Sequence, residues 1–504
     1  MSVAFGNTSF VTKDLILYFD PNDRRNYILS EVEVLVVAGG GGGGNYNSAG
    51  GGGAGGVIYR SFYPVTPGSA ISVTVGTGGG GGSGNNTTPP TNGGNSVFGN
   101  LTAIGGGFGS PNVANSVGDG GSGGGGGYTR QLGGTGTSGQ GFAGGHGGGP
   151  SSGAPNYPGG GGGGAGGPGG NSQHTSRAGN GGPGLPFSIS GTLRYYGGGG
   201  GGSTQSGGAG GSGGIGGGGR GGSSVGGENA VANTGGGGGA GGYDGTTYSG
   251  GSGGSGVVIV RYPGPQKATG GNTILFANGY TVHTFTSGTS SFTPSSFPSN
   301  GTAINGLQDL TDSTNSCYSS GGPTYNSSED GYIQFDGTDD FLNGNIRLGR
   351  SATVEFVAKA DWTQNNGGQP IPVAIDGDMY GSGPNIFLGY NSSSQFFIYN
   401  NVGDGYSNPF SNSGLPSSSV YVHFVVVNDF LRSTARLYQN GSLVGTASVL
   451  DMRTTGINKF WIGRWHGGGY RVNMRLGPVR VYNRELSASE VLTNFNSLKG
   501  RYGL

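Results

Sequence analysis

Acidic residues are the first place to look for chemistry, because cleaving a glycosidic bond takes two carboxylates flanking it, and two acids a few residues apart on one strand face would make such a pair. Glu355 stands alone among apolar neighbours, and no such pair exists. Asp336, Asp339 and Asp340 in the run FDGTDDF could offer oxygen ligands to calcium, and so could Asp376 with Asp378. Short acidic turns more often bond their own backbone, so a turn is the commoner role for the first cluster. The single cysteine, Cys317, forms no internal disulfide and has no His or Cys at metal-ligand spacing. His283 alternates with Val282 and Phe285 and reads as a structural strand histidine. Trp362 and Trp461 read as core residues of strands, whereas Trp465, beside His466 and the loop from Gly467 to Tyr470, is placed for exposure. Patterns such as G-x-G-x-x-G occur throughout by composition, but no Gly-Lys-Ser or Gly-Lys-Thr accompanies them. No Ser-His-Asp or Cys-His arrangement stands out either, so the chain is expected not to be an enzyme and to need no cofactor, calcium at the aspartates being the one alternative.

With 24 basic and 24 acidic residues, no net field draws the chain to nucleic acid or an anionic surface. The first residues, MSVAFGNTSFVTKD, lack the charged start and apolar run of a secretory signal, and no stretch of eighteen apolar residues occurs. A soluble protein that stays in the cytoplasm until assembly or lysis is expected, with no membrane insertion.

Residues 31–263 hold 94 of the 127 glycines. A flexible linker is the simplest reading of such a composition, since ordering a glycine costs roughly 0.5–1 kcal/mol more than ordering an alanine. Three features argue for order instead. Strand sequences bracket the segment, EVEVLVVA from Glu31 and VVIVRY from Val257, with AISVTV from Ala70 between them. Residues 61–260 carry only seven charged side chains and no lysine, unlike solvated disordered chains. Glycine runs also have an ordered form, the extended threefold helix of about 3.1 Å rise per residue, whose amides can bond laterally to neighbouring helices.

Residues 264–300 read as a strand and hairpin, through GYTVHTFT and SSFTP. Beyond them, sandwich strands are expected at 331–336, 352–359, 385–390, 395–400, 420–428, 434–439, 443–448, 459–464 and 476–482. Asn440-Gly441 supplies the positive-φ pair of a two-residue hairpin. One helix is expected over 486–499, capped by Ser487 with Glu490 three residues on, packing through Val491, Leu492, Phe495 and Leu498, and ended by Gly500.

The segments FDGTDDF from Phe335, RLYQNGSLVG from Arg436, WIGR from Trp461 and GPVRVYNRELSASEVLTNFNSLKGRY from Gly477 resemble the concanavalin-A-like, laminin-G-like jelly rolls of tailed-bacteriophage structural proteins, especially marine ones. DLILYFDPNDRRNY from Asp14 resembles the first strand of that same fold. The resemblance therefore implies a mainly β protein: a concanavalin-A-like jelly-roll sandwich with an inserted glycine-rich module of packed polyglycine-II-type helices. Residues 1–30 would hold the first strand of the jelly roll, 31–263 the glycine-rich module, 264–300 the hairpin completing it, and 301–504 the remainder of the jelly roll. The glycine-rich segment itself resembles modules of phage tail-fibre and adhesin proteins, through VEVLVVAGGGGGG, SGVVIVRYPGPQ and GGYTVHTFT. What this implies is a virion protein made in the host cytoplasm, in the first place a tail fibre or tail-tip adhesin binding the host cell surface, with a capsid or neck appendage that binds other virion proteins only as the alternative. Implied partners are other virion proteins and a bacterial surface polysaccharide or outer-membrane protein; homotrimers are common among such fibres. Receptor contacts would come from loop residues between the glycine runs, namely Tyr46, Tyr128, Arg130, Arg177, Tyr195, Tyr196, Tyr243 and Tyr248, joined by Trp465 and Tyr470.

Overall fold

The computed structural model describes residues 10–21, 23, 27–111, 116–128, 132–148, 157–173, 177–205, 208–296, 298–299, 301–304, 306–308, 316–348, 351–361, 372–376, 386–390, 395–400, 406–414, 416–429, 431–448, 458–464 and 471–504. Two sheets of eight strands pack face to face through residues from both ends of the chain. One runs from Thr324–Asn326 through Tyr332–Asp336, Asn473–Tyr482, Ser351–Ala360, Val422–Asp429 and Thr434–Gln439 to Ser442–Ser448. Leu15–Phe19 joins this sheet by pairing with Val479 to Tyr482, end to end with Tyr332–Asp336, which pairs with Asn473 to Leu476 of the same strand. The other sheet is ordered Gly306–Gln308, Ser316–Ser320, Phe341–Ile346, Asn458–Ile462, Val373–Asp376, Ile386–Tyr390, Gln395–Asn400, Tyr406–Gly414. Between them lies an apolar core that includes Phe19, Phe335, Leu342, Phe356, Phe396, Phe424 and Ile462, each worth about 1.5–3 kcal/mol on burial.

Alternation along Ser351–Ala360 sends Ala352, Val354, Phe356 and Ala358 into that core, and Thr353, Glu355 and Val357 to the opposite face. The opposite face is buried too, because the helix Ala488–Tyr502 lies over it with Val491, Asn494, Leu498 and Tyr502 turned inward. Its start is the expected capping box of Ser487 and Glu490, but its end is not Gly500: the helix continues to Tyr502 and stops at Gly503 in a left-handed conformation. Leu492, expected in the packing stripe, is exposed. The Asn440-Gly441 turn forms as read, with φ of 48° and 77°. Phe341–Ile346 is a strand that FLNGNI, with its Asn and Gly, gave no reason to expect.

The glycine-rich region is anchored by two five-stranded sheets. One holds Thr273–Ala277, Tyr280–Phe285, Val257–Pro263, Glu31–Val37 and Val57–Pro64; the other holds Ala268–Thr269, Gly288–Pro294, Ile71–Val75, Ser96–Phe98 and Leu101–Ala103. Val34, Val36, Val73, Phe98, Val258, Val260, Phe285 and Phe292 fill the space between them. His283 is buried there, bonded to Tyr262 Oη at 2.9 Å and Gly270 O at 2.6 Å, the structural role expected of it.

From these sheets the glycine runs rise and return as extended helices whose amides bond sideways with a period of three. Gly39 and Gly42 donate to the carbonyls of Gly94 and Thr91, Gly40 and Gly43 to Gly254 and Gly251, and Gly41 and Gly44 to Gly53 and Gly50. The return run does the same: Gly50, Gly53 and Gly56 reach Ser110, Gly107 and Ile104, while Gly51 with Ala54 and Gly52 with Gly55 reach two further runs. Three faces, each bonded to a different neighbour, are what a threefold helix presents. Every such bond is worth about 0.5–1.5 kcal/mol net, enough to oppose the ordering cost of a glycine. Carbonyls of one run sit where a side chain of the next would be: a Cβ on Gly40, Gly42 or Gly237 would lie 1.9 Å from a carbonyl oxygen. Ala38, Ala49, Ala54 and Ala240 are buried in the same array, so particular positions do accept a methyl group.

Candidate functional site

Among the described residues, three of the places singled out by the sequence bring chemically capable side chains together. The first surrounds Glu355, which is not alone after all. Its Oε1 accepts from Arg480 Nη1 at 2.7 Å and lies 3.0 Å from His423 Nε2, and its Oε2 accepts from Asn494 Nδ2 at 2.6 Å. Burial alone would raise this carboxyl, but Arg480, His423 and Asn494 together draw it down to about 2. Arg480 stacks against Phe10 and Tyr18, and Asn494 also donates to Tyr482 Oη while accepting from Val11 N–H. Glu355, His423, Arg480 and Asn494 are all 2% exposed or less. A substrate has no way in, so the cluster's work is to pin the helix and residues 10–11 to the sheet.

The second place is the turn Asp336–Asp340, where one oxygen of each of Asp336, Asp339 and Asp340 lies within 4.8 Å of the others. Asp336 Oδ1 accepts from the N–H of Thr338 at 2.6 Å and of Asp339 at 3.4 Å, and Asp340 Oδ2 accepts from Asp336 N–H at 2.8 Å. These are the backbone bonds of an acidic turn. Burial, then the charges of Asp336 and Asp339, push the Asp340 carboxyl up despite that amide. Calcium wants six to eight oxygens, and two of these three carboxylates already serve the turn. Asp378 lies outside the described residues.

The third place is the far end of the glycine array, where loops join neighbouring runs. Residues 45–48 are its hub. Asn45 Nδ2 donates to Ser83 O at 2.6 Å and to Asn86 Oδ1 at 2.5 Å, Gln205 Nε2 donates to Asn47 Oδ1, and Tyr128 N–H donates to Ser48 O at 3.2 Å. Tyr46 lies against Tyr243 with ring centroids 5.4 Å apart, and Tyr128 against Tyr157 at 4.6 Å. Tyr46 and Ser48 both hold left-handed backbones, φ 65° and 64°, a conformation disfavoured by about 1–2 kcal/mol for a side-chain-bearing residue. Strain of this kind persists only where the surroundings over-determine it, and it gathers at functional sites. Asn45 and Ser48 are buried, whereas Tyr46, Asn47, Tyr128, Tyr157, Tyr243 and Tyr248 are half-buried and Asn85, Asn86, Arg177 and Asp244 are exposed. Asp244 is engaged by Thr246 N–H and Tyr248 Oη, 3.2 and 3.3 Å away. The loop end is thus a braced surface of phenol rings and amides with few charges.

Of the residues expected to touch a receptor, Tyr46, Tyr128, Arg177, Tyr243 and Tyr248 lie at this end. Tyr195 and Tyr196 do not. They belong to the hairpin Leu185–Phe187 with Arg194–Tyr196 at the opposite end, and Tyr196 is buried against Leu35, Val37, Val57 and Ile259. Strand alternation, which LRYY also permits, turns Tyr196 inward and leaves only Tyr195 in solvent. Arg130, Trp465 and Tyr470 lie outside the described residues. Trp461, expected in the core, is buried, but outside the inter-sheet cluster, where its neighbours Phe460 and Ile462 take the inward positions. It is covered by Phe341 and by Arg464, whose guanidinium lies 3.7 Å from the Phe341 ring centre and 5.1 Å from that of Trp461. Residues 83–90 and 205 gave no sequence signal as braces of the Tyr46 loop, because amide-to-amide bonds between distant loops leave no local pattern.

Residues 25–263 match the family model of the glycine-rich domain, and residues 327–492 match that of the concanavalin A-like lectin/glucanases superfamily. The chain is accordingly a mainly β protein with a glycine-rich module and a concanavalin A-like jelly roll. No curated protein matches it. Among solved structures it is similar to domain 4 of AbnA, an extracellular arabinanase from Geobacillus stearothermophilus solved with arabinotriose, at 15% identity over 34% of this chain and 81% of that one, TM-score 0.29. It is also similar to the botulinum neurotoxin type C structure described by its interaction with two ganglioside molecules, at 17% identity over 39% and 51%, TM-score 0.30. The binding domain of Paraclostridial Mosquitocidal Protein 1 gives 17% identity over 39% and 51%, TM-score 0.31. The chain spans about half the length of these two toxin structures.

Proposed function

We propose that the chain is a bacteriophage virion protein, a tail-fibre or tail-tip adhesin that meets the bacterial surface through the loop end of its glycine module, with the jelly roll docking it to the particle or sharing in sugar recognition. The observation that carries this reading is the strained, cross-braced loop 45–48, which holds half-buried tyrosines rigidly at the end of the array farthest from the sheets. Rigid aromatic and amide groups bind surfaces at little cost in conformational entropy. Neither an enzymatic step nor a cofactor belongs to this function.

Fluorescently labelled protein is expected to bind cells of a susceptible bacterium and to compete with phage adsorption, releasing no reducing ends from the surface polysaccharide. Tyr46→Ala and Tyr243→Ala should each weaken cell binding by tenfold or more, the loss of about 2 kcal/mol expected of a central aromatic contact. Tyr195→Ala, at the opposite end, should leave it unchanged. Absence of cell binding, with gold-labelled antibody marking the capsid or neck of the particle, would replace the adhesin by an appendage that holds other virion proteins.

The same proposal places the glycine module within the jelly roll, between Leu15–Phe19 and Gly306–Gln308. Deleting residues 31–300 and closing the gap with a short flexible linker is expected to leave a folded β-protein by circular dichroism with a cooperative melt. A disordered product would overturn that parse.

A further inference from the structure

Three runs, residues 209–215, 217–222 and 226–231, form one outer layer of the glycine array. Gly218 and Gly221 of the second donate to Gly214 and Gly211 of the first, and Glu228 and Val231 of the third donate to Arg220 and Gly217 of the second. Gly211 with Gly214, Gly219 with Gly222, and Gly227 with Ala230 donate to three runs of the layer beneath. The remaining side of the layer faces solvent. A threefold helix brings every third residue onto the same face, and the third run carries Val225, Glu228 and Val231 there, with the two valines 59% and 60% exposed. Arg220 stands exposed on the second run, level with Glu228, whose N–H donates to its carbonyl at 2.9 Å. These two are among only seven charged side chains between residues 61 and 260, yet they do not pair with each other. The Glu228 carboxylate takes the Arg220 backbone N–H at 3.3 Å, and among the described residues the Arg220 guanidinium meets no carboxylate.

We propose that this layer seats a second copy of the chain, face to face about a twofold axis that runs parallel to the glycine helices, midway between the second and third runs. Such an axis sets the second run of each copy against the third run of the other. Arg220 then meets the second copy's Glu228, and Glu228 meets its Arg220, so two ion pairs form that one chain leaves open. Val231 stands level with Gly217, to whose carbonyl its N–H donates at 2.9 Å. The same rotation lays each Val231 over the Gly217 of the other copy, where glycine leaves room. Charge and bulk are complementary under one operation, a property that singles out a second copy over a foreign partner. Two runs of six residues are only about 19 Å long, so the contact is small beside the roughly 800 Å² per partner of a stable interface. Association is accordingly weak in free solution and gains where copies share one particle. An axis along the runs also keeps both loop ends on the same side, so that two copies present them together; that consequence alone rests on the adhesin reading.

Sedimentation velocity of the full chain, up to roughly 200 µM, is expected to show a dimer with a Kd on the order of 10–100 µM, weakened by added salt. Arg220→Glu and Glu228→Arg each set like charges against one another across the axis and should each weaken the dimer at least about tenfold. Mixing the two variants, or carrying both exchanges in one chain, restores opposite charges at both contacts and should restore the dimer. Both side chains are exposed, so circular dichroism should show the fold unchanged in every variant. A pair acting only within one chain would leave the mixture monomeric. Monomer at every concentration, a dimer indifferent to both single reversals, or a mixture that fails to associate would each overturn the proposal. Cell binding is scored separately: failure of the loop end as an adhesin would leave this dimer intact.

Discussion

Gly237→Ala is expected to cost the glycine array several kcal/mol, lowering the melting temperature steeply, while Gly80→Ala costs nothing or stabilises slightly. A Cβ on Gly237 would fall 1.9 Å from Gly52 O and 2.9 Å from Gly200 N, main-chain atoms of two different runs that are hydrogen-bonded to each other, Gly200 N–H donating to Gly52 O at 2.9 Å. Neither can retreat without breaking lateral bonds. Overpacking in an interior ordinarily costs about 1–3 kcal/mol, and a backbone that cannot yield places this site at or above the top of that range. Gly80 is exposed, and its Cβ would meet only Thr91 Oγ1 at 3.8 Å. There the alanine restricts the unfolded chain, a gain of about 0.4–1 kcal/mol. Thermal melts of the two variants, with hydrogen exchange of the glycine amides, separate a lattice from a tether: a floppy segment would tolerate both substitutions alike.

Glu355→Ala is the second large effect, expected to destabilise the jelly roll by about 3–5 kcal/mol in chemical denaturation, because it strands Arg480 as an uncompensated buried charge. Replacing Glu355 and Arg480 together by apolar residues should cost markedly less than either single change. The pH dependence follows from the carboxyl's descent from 4.5 to about 2 on folding. A lowered acid contributes its full stability above pH 4.5 and loses it as pH falls through about 2, so wild-type stability should decline across that window by about 3 kcal/mol from this group. In Glu355→Gln the decline over the same window should be shallower. A wild-type curve that stays flat from pH 5 to 2 would remove the ion pair from any role in stability.

Local signals were legible in the sequence. Ser487 with Glu490 announces a helix start, Asn440-Gly441 a tight hairpin, and EVEVLVV the strand at Glu31–Val37, while the strand at Leu15–Phe19 is legible only through the resemblance of DLILYF to the first strand of a jelly roll. Contacts between distant segments were not. Glu355 looks solitary because its partners lie 68, 125 and 139 residues away, and a buried polar residue on a strand otherwise apolar gives no hint of who meets it. Tyr196 looks like a loop residue until strand pairing assigns it a face. The glycine runs are the extreme case: identical residues carry no register, so which run bonds which is decided by the strands and loops at their ends.

The threefold bonding has a bearing on how such a chain can change over generations. Three added residues lengthen a run by one full turn, about 9 Å, and return each face to the neighbour it had. One or two added residues rotate all that follows by a third or two thirds of a turn and misdirect every later amide. Length variation in adjoining runs should therefore survive in triplets, extending the reach of the loops without redesigning what lies beneath, whereas the loops themselves are free to vary residue by residue.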